Sequence, residues 1–191
     1  MKFLIVGLGN AGNEYVDTRH NIGFDVVKAF LNQHGGQFRV DRHAYTAEIK
    51  FKGRSIISIC PTTYMNLSGK AVKYWMDKEN IALENILVIL DDVNLPLESL
   101  RLKPGGSDGG HNGLKSIQSC LGTTNYPRLR FGVGNNFPKG SQSDFVLGKW
   151  YKDEVALMKL KIEKSVEAIE IFVTQGITFA MNAINNKKFS L

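Results

Sequence analysis

Residues 2–12 read KFLIVGLGNAG, an apolar run that stops at Gly7 and continues as a glycine-rich segment. A short apolar run bounded by glycine is typical of a buried strand followed by a loop. The same opening superficially resembles a secretion signal, but Gly7 and Gly9 break the apolar run and no small-residue cleavage site follows. We therefore predict that residues 2–6 form a buried strand.

Hydrophobic periodicity predicts the elements that follow this strand. Residues 20–33 place apolar side chains on one helical face, and residues 152–174 repeat them every three or four positions in a longer helix. Further predicted elements are a hairpin of residues 45–51 and 54–60 turning at Lys52-Gly53, a helix after Asn66, strands at 85–90, 100–103 and 128–133, a helix after Asn112 and a short helix after Gly176. This alternation predicts one α/β domain over residues 1–191, with a twisted, mixed and largely parallel sheet flanked by helices and further helices at the C-terminus.

The composition gives a coarse indication of the partner. The chain has 24 Lys and Arg against 18 Asp and Glu, a formal net charge of +6 and a pI of about 9.3. Such an excess favours a polyanionic partner, although an ordinary solvated basic surface explains the charge equally well.

Cysteine usage and hydropathy indicate the compartment. Cys60 and Cys120 lie in apolar surroundings without paired spacing, which predicts two buried, free cysteines rather than a disulfide framework. No apolar stretch approaches the length of a membrane span. These features predict a cytoplasmic protein.

Two glycine motifs suggest functions that their contexts do not support. Residues 7–12 fit G-x-G-x-x-G, but the segment after Gly12 is polar and lacks a helical stripe, so a nicotinamide-dependent oxidoreductase is only a weak alternative. Residues 105–109 fit G-x-S-x-G, but the one histidine downstream of Ser107 is His111, too near to act as the base of a serine triad. The histidine spacing predicts no zinc site either.

A set of polar residues follows the predicted strands, where ligand-facing side chains tend to lie. A histidine, an aspartate and several asparagines can supply a base, its orienting carboxylate and neutral amide donors for ester hydrolysis by water. The set comprises Asn10, Tyr15, His20, Tyr64, Asn66, Asp91 and Asn112. Each also has a simpler interpretation: Asn10 suits a left-handed turn, and His20 and Asp91 suit helix or turn starts.

Several of these residues belong to motifs of one family. The segments GLGN at 7–10, TRHNIGF at 18–24, PTTYMNLSG at 61–69 and GGHNGL at 109–114 resemble the signatures of bacterial peptidyl-tRNA hydrolase. DDVNLP at 91–96, RLRFGVG at 128–134 and FVLG at 145–148 continue the similarity in family order. The resemblance runs from Met1 to the C-terminal helices. It implies an enzyme that cleaves the ester between a peptide and the 3′ end of tRNA.

The resemblance also implies residue roles. His20 would activate water, and Asp91 would hold His20 ready to accept a proton. Asn10 would recognise the peptide amide and so separate peptidyl-tRNA from aminoacyl-tRNA. The other implied contacts are Asn66 and Asn112 to the peptide and ester region, Tyr15 and Tyr64 to the substrate and the tRNA end, and Lys103 and Arg130 to the tRNA 5′ phosphate.

The same resemblance implies a monomer that needs no cofactor, metal, membrane or protein partner. Two points depart from the family pattern or stay open. Asp91 and Asp92 are adjacent carboxylates that compete for the orienting role, and we favour Asp91 because it follows the strand directly and aligns with the family position. Asp108 is an unexpected acid beside a phosphate-binding surface.

The alternative function is a non-catalytic RNA-binding module, which would need the basic surface but not His20.

Overall fold

A computed structural model describes all 191 residues and contains one seven-stranded sheet with strand order β2-β3-β4-β1-β5-β7-β6. The strands are β1 (Lys2–Gly7), β2 (Arg39–Asp41), β3 (Ala44–Phe51), β4 (Arg54–Pro61), β5 (Ile86–Asp92), β6 (Leu100–Lys103) and β7 (Arg128–Gly132). The four inner strands β4, β1, β5 and β7 run parallel, whereas β2, β3 and β6 are antiparallel additions at the edges. The predicted mixed, largely parallel α/β sheet is confirmed.

Six helices cover both faces of the sheet. They are α1 (Ile22–Gln33), α2 (Ser68–Glu79), α3 (Asn112–Leu121), α4 (Gln142–Val146), α5 (Val155–Gln175) and α6 (Ile177–Ile184). Helices α1, α5 and α6 pack on one face through a core that includes Ile5 and Ile89, and α2 and α3 pack on the other through Val6 and Val88. Alternate residues of β1 and β5 therefore enter different cores, as the pleat requires. None of the helices combines the length and apolar character needed to cross a bilayer.

The structure corrects several details of the sequence prediction. Strand β2 and helix α4 were not predicted, since each is at most five residues long and lacks a measurable period. Strand β5 does not end before Asp91 but continues through Asp92. The free cysteines are confirmed, but only Cys60 is buried; Cys120 is exposed on α3.

The first glycine motif serves packing. A Cβ atom on Gly7 would lie 2.2 Å from the carbonyl oxygen of Gly23, so α1 can approach the end of β1 only because both residues are glycine. Two 3-10 turns, Asn13–Tyr15 and Arg19–Asn21, stand between β1 and α1 where a dinucleotide fingerprint requires an immediate helix. The motif therefore gives no support to a nicotinamide site.

A buried lysine contacts the segment that follows β5 and the carboxyl end of β7. Lys161 of α5 has no exposed surface, and its Nζ donates to the carbonyl oxygens of Leu97 at 2.5 Å and Gly132 at 2.6 Å. Burial lowers the pKa of Lys161 to about 7. The contacts tie α5 to the loop after β5 and to the last residue of β7, at the carboxyl ends of the parallel strands.

Candidate active site

The carboxyl ends of the parallel strands border a cavity of about 360 Å³. Four residues predicted from the sequence line it: Asn10 after β1, His20 before α1, Asp91 at the end of β5 and Asn112 at the start of α3. A crevice at this edge of a parallel sheet is the usual location of a ligand site. The structure thus brings together residues that lie up to 102 positions apart in the sequence.

His20 and Asp91 are in direct contact. Nδ1 of His20 lies 3.0 Å from Oδ1 and 2.9 Å from Oδ2 of Asp91, which is almost fully buried. A buried, ionised carboxylate at these distances accepts a hydrogen bond from the ring N–H, so Nδ1 of His20 is the protonated nitrogen. Nε2 of His20 makes no hydrogen bond within the chain and is available to a substrate or water in the cavity.

His111 is the second histidine at Asp91, and the sequence did not reveal this contact. Nε2 of His111 lies 2.9 Å from Oδ1 of Asp91, and its Nδ1 accepts from the N–H of Gly113 as the N-cap of α3. Both ring nitrogens are therefore engaged, and Nε2 carries the proton. The signal in the sequence was the placement of His111 directly before Asn112, which brings both residues to the same helix start.

The charges of this cluster shift the two pKa values in opposite directions. Burial lowers the pKa of His20, but the charge of Asp91 and the hydrogen bond to it raise the pKa by more. The pKa of His20 therefore lies above the usual 6.5. Burial raises the pKa of Asp91, but His20 and His111 lower it by more, so it lies well below its usual range. Asp91 is therefore ionised at neutral pH, and His20 titrates above the pH typical of a free imidazole.

The same three side chains contain the atoms that a metal ion would use. One ligand atom each from His20, Asp91 and His111 lie within 4.8 Å of one another, a cluster that spacing along the sequence did not indicate. Each histidine contact to Asp91 is at hydrogen-bond distance, so ring protons already account for the arrangement.

Asn10 is held by contacts on both sides of its peptide unit. Its N–H donates to Oδ1 of Asn21 at 2.8 Å, and its carbonyl oxygen accepts from Nδ2 of Asn21 at 2.9 Å. Its side-chain Oδ1 accepts from the N–H of Met65 at 2.9 Å. Because the acceptor of the amide is used in this way, the Nδ2 donor of Asn10 is left for the cavity.

The remaining predicted substrate contacts, Tyr15, Tyr64 and Asn66, do not line the cavity. Asn66 is exposed in the 3-10 turn Met65–Leu67, which Asn10 holds through Met65, and Tyr64 directly before it is 72% exposed. Tyr15 is half-buried in the turn Asn13–Tyr15, where its carbonyl oxygen accepts from Oγ1 of Thr18. Tyr15 follows β1 along the chain, and Tyr64 and Asn66 follow β4.

The adjacent carboxylates Asp91 and Asp92 point to opposite faces of β5, because side chains alternate along a strand. Asp92 forms a short ion pair with Arg130 of β7 and also accepts from the N–H of Asn94. Only Asp91 therefore contacts His20. We favoured Asp91 from the strand end and from the family position; the strand end was wrong, because β5 continues through Asp92, and it is the alternation along β5 that separates the two carboxylates.

The predicted phosphate contacts lie on a basic face of β6 and β7. In this antiparallel pair Arg101 is opposite Arg130 and Lys103 is opposite Arg128, so all four side chains share the face that carries α2 and α3 elsewhere in the sheet. Arg128 is buried and donates to the carbonyl oxygens of Ser107 and Thr124. Arg130 is already paired with Asp92, whereas Lys103 is half-buried beside it.

Two segments of the cavity wall were missed at the sequence level. The segment around α4 contributes Gln142, Ser143, Val146 and Leu147. The loop before α3 contributes Asp108, whose Oδ1 accepts from the N–H of Gly110 and whose carbonyl oxygen accepts from His111. The unexpected acid therefore shapes the turn that presents His111.

Comparison with known proteins agrees over almost the whole chain. The family model for peptidyl-tRNA hydrolase matches residues 4–191. The chain is 53% identical to the peptidyl-tRNA hydrolase of Cytophaga hutchinsonii and 52% identical to that of Bacteroides fragilis, and each alignment covers 98% of this chain and 100% of the relative. The crystal structure of peptidyl-tRNA hydrolase from Acinetobacter baumannii is similar with a TM-score of 0.92 at 37% identity, over 97% of this chain and 95% of that one. The chain belongs to the peptidyl-tRNA hydrolase family.

Proposed function

We propose that this chain hydrolyses the ester between the peptide and the 3′-terminal ribose of peptidyl-tRNA, with His20 as the general base and Asp91 as its orienting carboxylate. The products would be a free peptide and a tRNA available for recharging. The proposed site needs no metal, no cofactor and no second subunit. The domain carrying it would comprise the whole of residues 1–191.

One observation carries the assignment of the base. Of the two histidines at Asp91, His111 has both nitrogens engaged, whereas His20 keeps Nε2 without a partner at the cavity. A general base must present an unprotonated nitrogen within hydrogen-bond reach of the proton that it removes. In this cluster His20 meets that requirement because Asp91 holds its proton on Nδ1.

The proposed reaction follows from that geometry. Nε2 of His20 takes a proton from water as the water oxygen attacks the ester carbonyl carbon, and Asp91 stabilises the imidazolium that forms. The oxyanion would be stabilised by amide donors from Asn112 and Asn66, and Asn112 also marks the positive end of the α3 dipole. His20 then returns the proton to the ribose oxygen as the carbon–oxygen bond breaks.

The direct test is the release of peptide from a defined peptidyl-tRNA, with the matching aminoacyl-tRNA as a control substrate. We expect rapid cleavage of the first and little of the second. A protein that binds the tRNA but releases no peptide would instead be an RNA-binding module. The cluster of His20, Asp91 and His111 favours the enzyme, since binding alone needs no base beside a buried carboxylate.

Asn10 provides a test of substrate discrimination. Asn10→Ala is expected to reduce the ratio of peptidyl-tRNA to aminoacyl-tRNA cleavage by at least about tenfold, because a site deprived of its polar group no longer favours the ligand that matches it. Alanine also releases the N–H of Met65. Asn10→Asp keeps an acceptor for Met65 but replaces the Nδ2 donor with a carboxylate oxygen, so it should reproduce the loss while keeping the Met65 hydrogen bond. An unchanged ratio in both variants would leave Asn10 as a turn residue.

The basic face is tested by the salt dependence of tRNA binding. Lys103→Ala is expected to weaken binding and to make the slope of log affinity against log salt shallower by roughly 0.7–0.9, the effect of one lost phosphate contact. Lys50→Ala, on β3 at the other edge of the sheet, is the matched control and should change neither quantity. Equal slopes for wild type and Lys103→Ala would contradict the proposed phosphate contact.

Arg130→Ala is expected to weaken binding as well, but with a second effect that Lys103→Ala lacks. It leaves the buried Asp92 without its partner, and breaking a buried pair costs about 3 kcal/mol of folding free energy or more. The free energy of unfolding should therefore be measured beside the affinity. Arg130→Ala together with Asp92→Asn restores charge balance and should recover stability but not tRNA affinity.

A further inference from the structure

Arg19 directly precedes His20 and is one of the largest fully buried side chains, only 2% exposed. An arginine is almost never buried to this degree unless its charge has partners. It lies in the 3-10 turn Arg19–Asn21, so any contact that fixes Arg19 also fixes the backbone that carries the His20 ring.

The partners of Arg19 all come from one segment, which begins at α4 and ends at Glu154. The guanidinium carbon lies 4.2 Å from the ring centre of Phe145 and 4.7 Å from that of Tyr151. Its Nη1 donates to the carbonyl oxygen of Phe145 at 3.2 Å, and its Nη2 pairs with Oε2 of Glu154 at 3.3 Å. Glu154 is itself held by the N–H of Tyr151.

The main chain around Arg19 adds to the same connection. Its N–H donates to the carbonyl oxygen of Gly148 at 3.0 Å, and Thr18 forms an isolated bridge with Lys149. A Cβ on Gly148 would lie 3.1 Å from Nη1 of Arg19, so glycine lets the chain pass close to the guanidinium. The turn that contains Arg19 and the segment that begins at α4 are therefore held in contact, although Arg19 and Phe145 are 126 residues apart.

The segment around α4 that Arg19 contacts also forms one wall of the active-site cavity. Gln142, Ser143, Val146 and Leu147 line the cavity that His20 and Asp91 also line. We propose that Arg19 is a positioning residue for hydrolysis. It fixes the turn bearing His20 relative to the α4 segment of the cavity wall through its contacts with the Phe145 and Tyr151 rings and its ion pair with Glu154. This inference rests on the proposed function of the site.

Arginine suits this role better than lysine. Its planar fork can serve the carbonyl of Phe145 and the carboxylate of Glu154 at once while its faces stack on aromatic rings. Lysine keeps the charge but offers no rigid fork, so Arg19→Lys should preserve the fold and loosen the geometry. Small misplacements remote from the reacting atoms reduce turnover by up to about a hundredfold.

The experiment compares Arg19→Lys with Arg54→Lys in the full chain. Arg54 is matched to Arg19 because both of its Nη atoms also donate hydrogen bonds, to the carbonyl oxygens of Lys52 and Thr174, and because it also has a buried Nε without a partner. It is the first residue of β4, at the amino ends of the parallel strands and so opposite the ends that border the cavity. For each variant, kcat and KM for peptidyl-tRNA are measured well below the midpoint of unfolding, together with the proton NMR signal of His20 Nδ1–H.

We expect Arg19→Lys to lower kcat by at least about tenfold, with KM changed much less, and to shift or broaden the His20 Nδ1–H signal. Arg54→Lys should change neither.

Three outcomes would overturn the proposal. They are an unaltered kcat in folded Arg19→Lys, a loss of kcat with an unchanged His20 signal, and an equal loss of kcat in Arg54→Lys. If Arg19→Lys does not fold, Glu154→Gln must lower kcat and move the signal in the same direction, or the proposal fails. Absence of hydrolysis by the wild type would refute the proposed function instead, and the His20 signal would still report on Arg19.

Discussion

Replacing His20 with alanine is expected to reduce the turnover of peptidyl-tRNA by about 10²- to 10⁴-fold, the usual contribution of a positioned general base. No other group replaces it, because His111 at the same carboxylate has both ring nitrogens in hydrogen bonds. Affinity for tRNA should change little, since the proposed phosphate contacts Lys103 and Arg130 do not line the cavity that contains His20. The measurement is single-turnover release of peptide beside tRNA binding.

His34→Ala is a closely matched control for this experiment. Both histidines are largely buried, at 14% and 15% side-chain exposure, and both contact a carboxylate, which for His34 is Glu170 at 2.8 Å. His34 lies after the carboxyl end of α1 and far from the cavity. It should lose comparable packing but keep its activity. Retention of most activity by folded His20→Ala, or an equal loss in His34→Ala, would contradict the proposed mechanism.

The stability that His20 gives to the wild type should also depend on pH. The pKa of His20 is raised in the folded state, so the folded protein binds this proton more tightly than the unfolded chain does. The stabilisation is fully present below the usual pKa of 6.5 and is lost as the pH rises through the folded value. The difference in free energy of unfolding between wild type and His20→Ala should therefore be larger at acidic pH than at alkaline pH.

The fold was predictable wherever a hydrophobic period extended over several turns or alternations. The long C-terminal helix α5 and the β3–β4 hairpin belong to this class, and the turn at Lys52 and Gly53 has the positive φ angles that its sequence suggests. Helix α4 did not belong to it. Its five residues are held by the contacts of Phe145 and Val146 with the core and with Arg19, which no local pattern encodes.

The site was predictable in its residue types but not in its connections. Loops at strand ends identified Asn10, His20 and Asp91, and the parallel sheet explains why they converge. Sequence could not reveal that Asp91 serves two histidines, or that Asp92 is engaged by Arg130. Both depend on which face of β5 each carboxylate occupies, and that register is set by pairing with β1 and β7.

Asp91→Asn is expected to lower turnover by about 10²- to 10⁴-fold while sparing substrate affinity. His111 has its proton fixed on Nε2 by the N–H of Gly113, so the amide oxygen of the new asparagine would accept from His111. Its NH₂ group would then face Nδ1 of His20 and force the ring proton onto Nε2. That tautomer cannot accept a proton from water, and the negative charge that stabilises the imidazolium is also gone.

The pH dependence of kcat/KM is an independent test of the contact between His20 and Asp91. In the wild type, activity should rise with pH through an apparent pKa above 6.5, because Asp91 outweighs the burial of His20. In Asp91→Asn the burial remains and the charge is lost, so the residual activity should rise at a lower pH. An inflection that does not move would mean that another group titrates in the profile.

The double variant decides whether His20 and Asp91 act as one unit. Asp91→Asn added to His20→Ala should reduce turnover almost no further, since the effects of residues that cooperate in one step are strongly non-additive.

Asp92→Asn is the matched control one residue away. It removes a buried carboxylate that pairs with Arg130 and not with His20, so its effect on turnover should stay below about tenfold. Because Asp92 and Asp91 occupy opposite faces of β5, the two asparagine variants differ mainly in which basic group loses its partner. A defect in Asp92→Asn larger than that in Asp91→Asn, or full additivity in the double variant, would show that the base is oriented by a group other than Asp91.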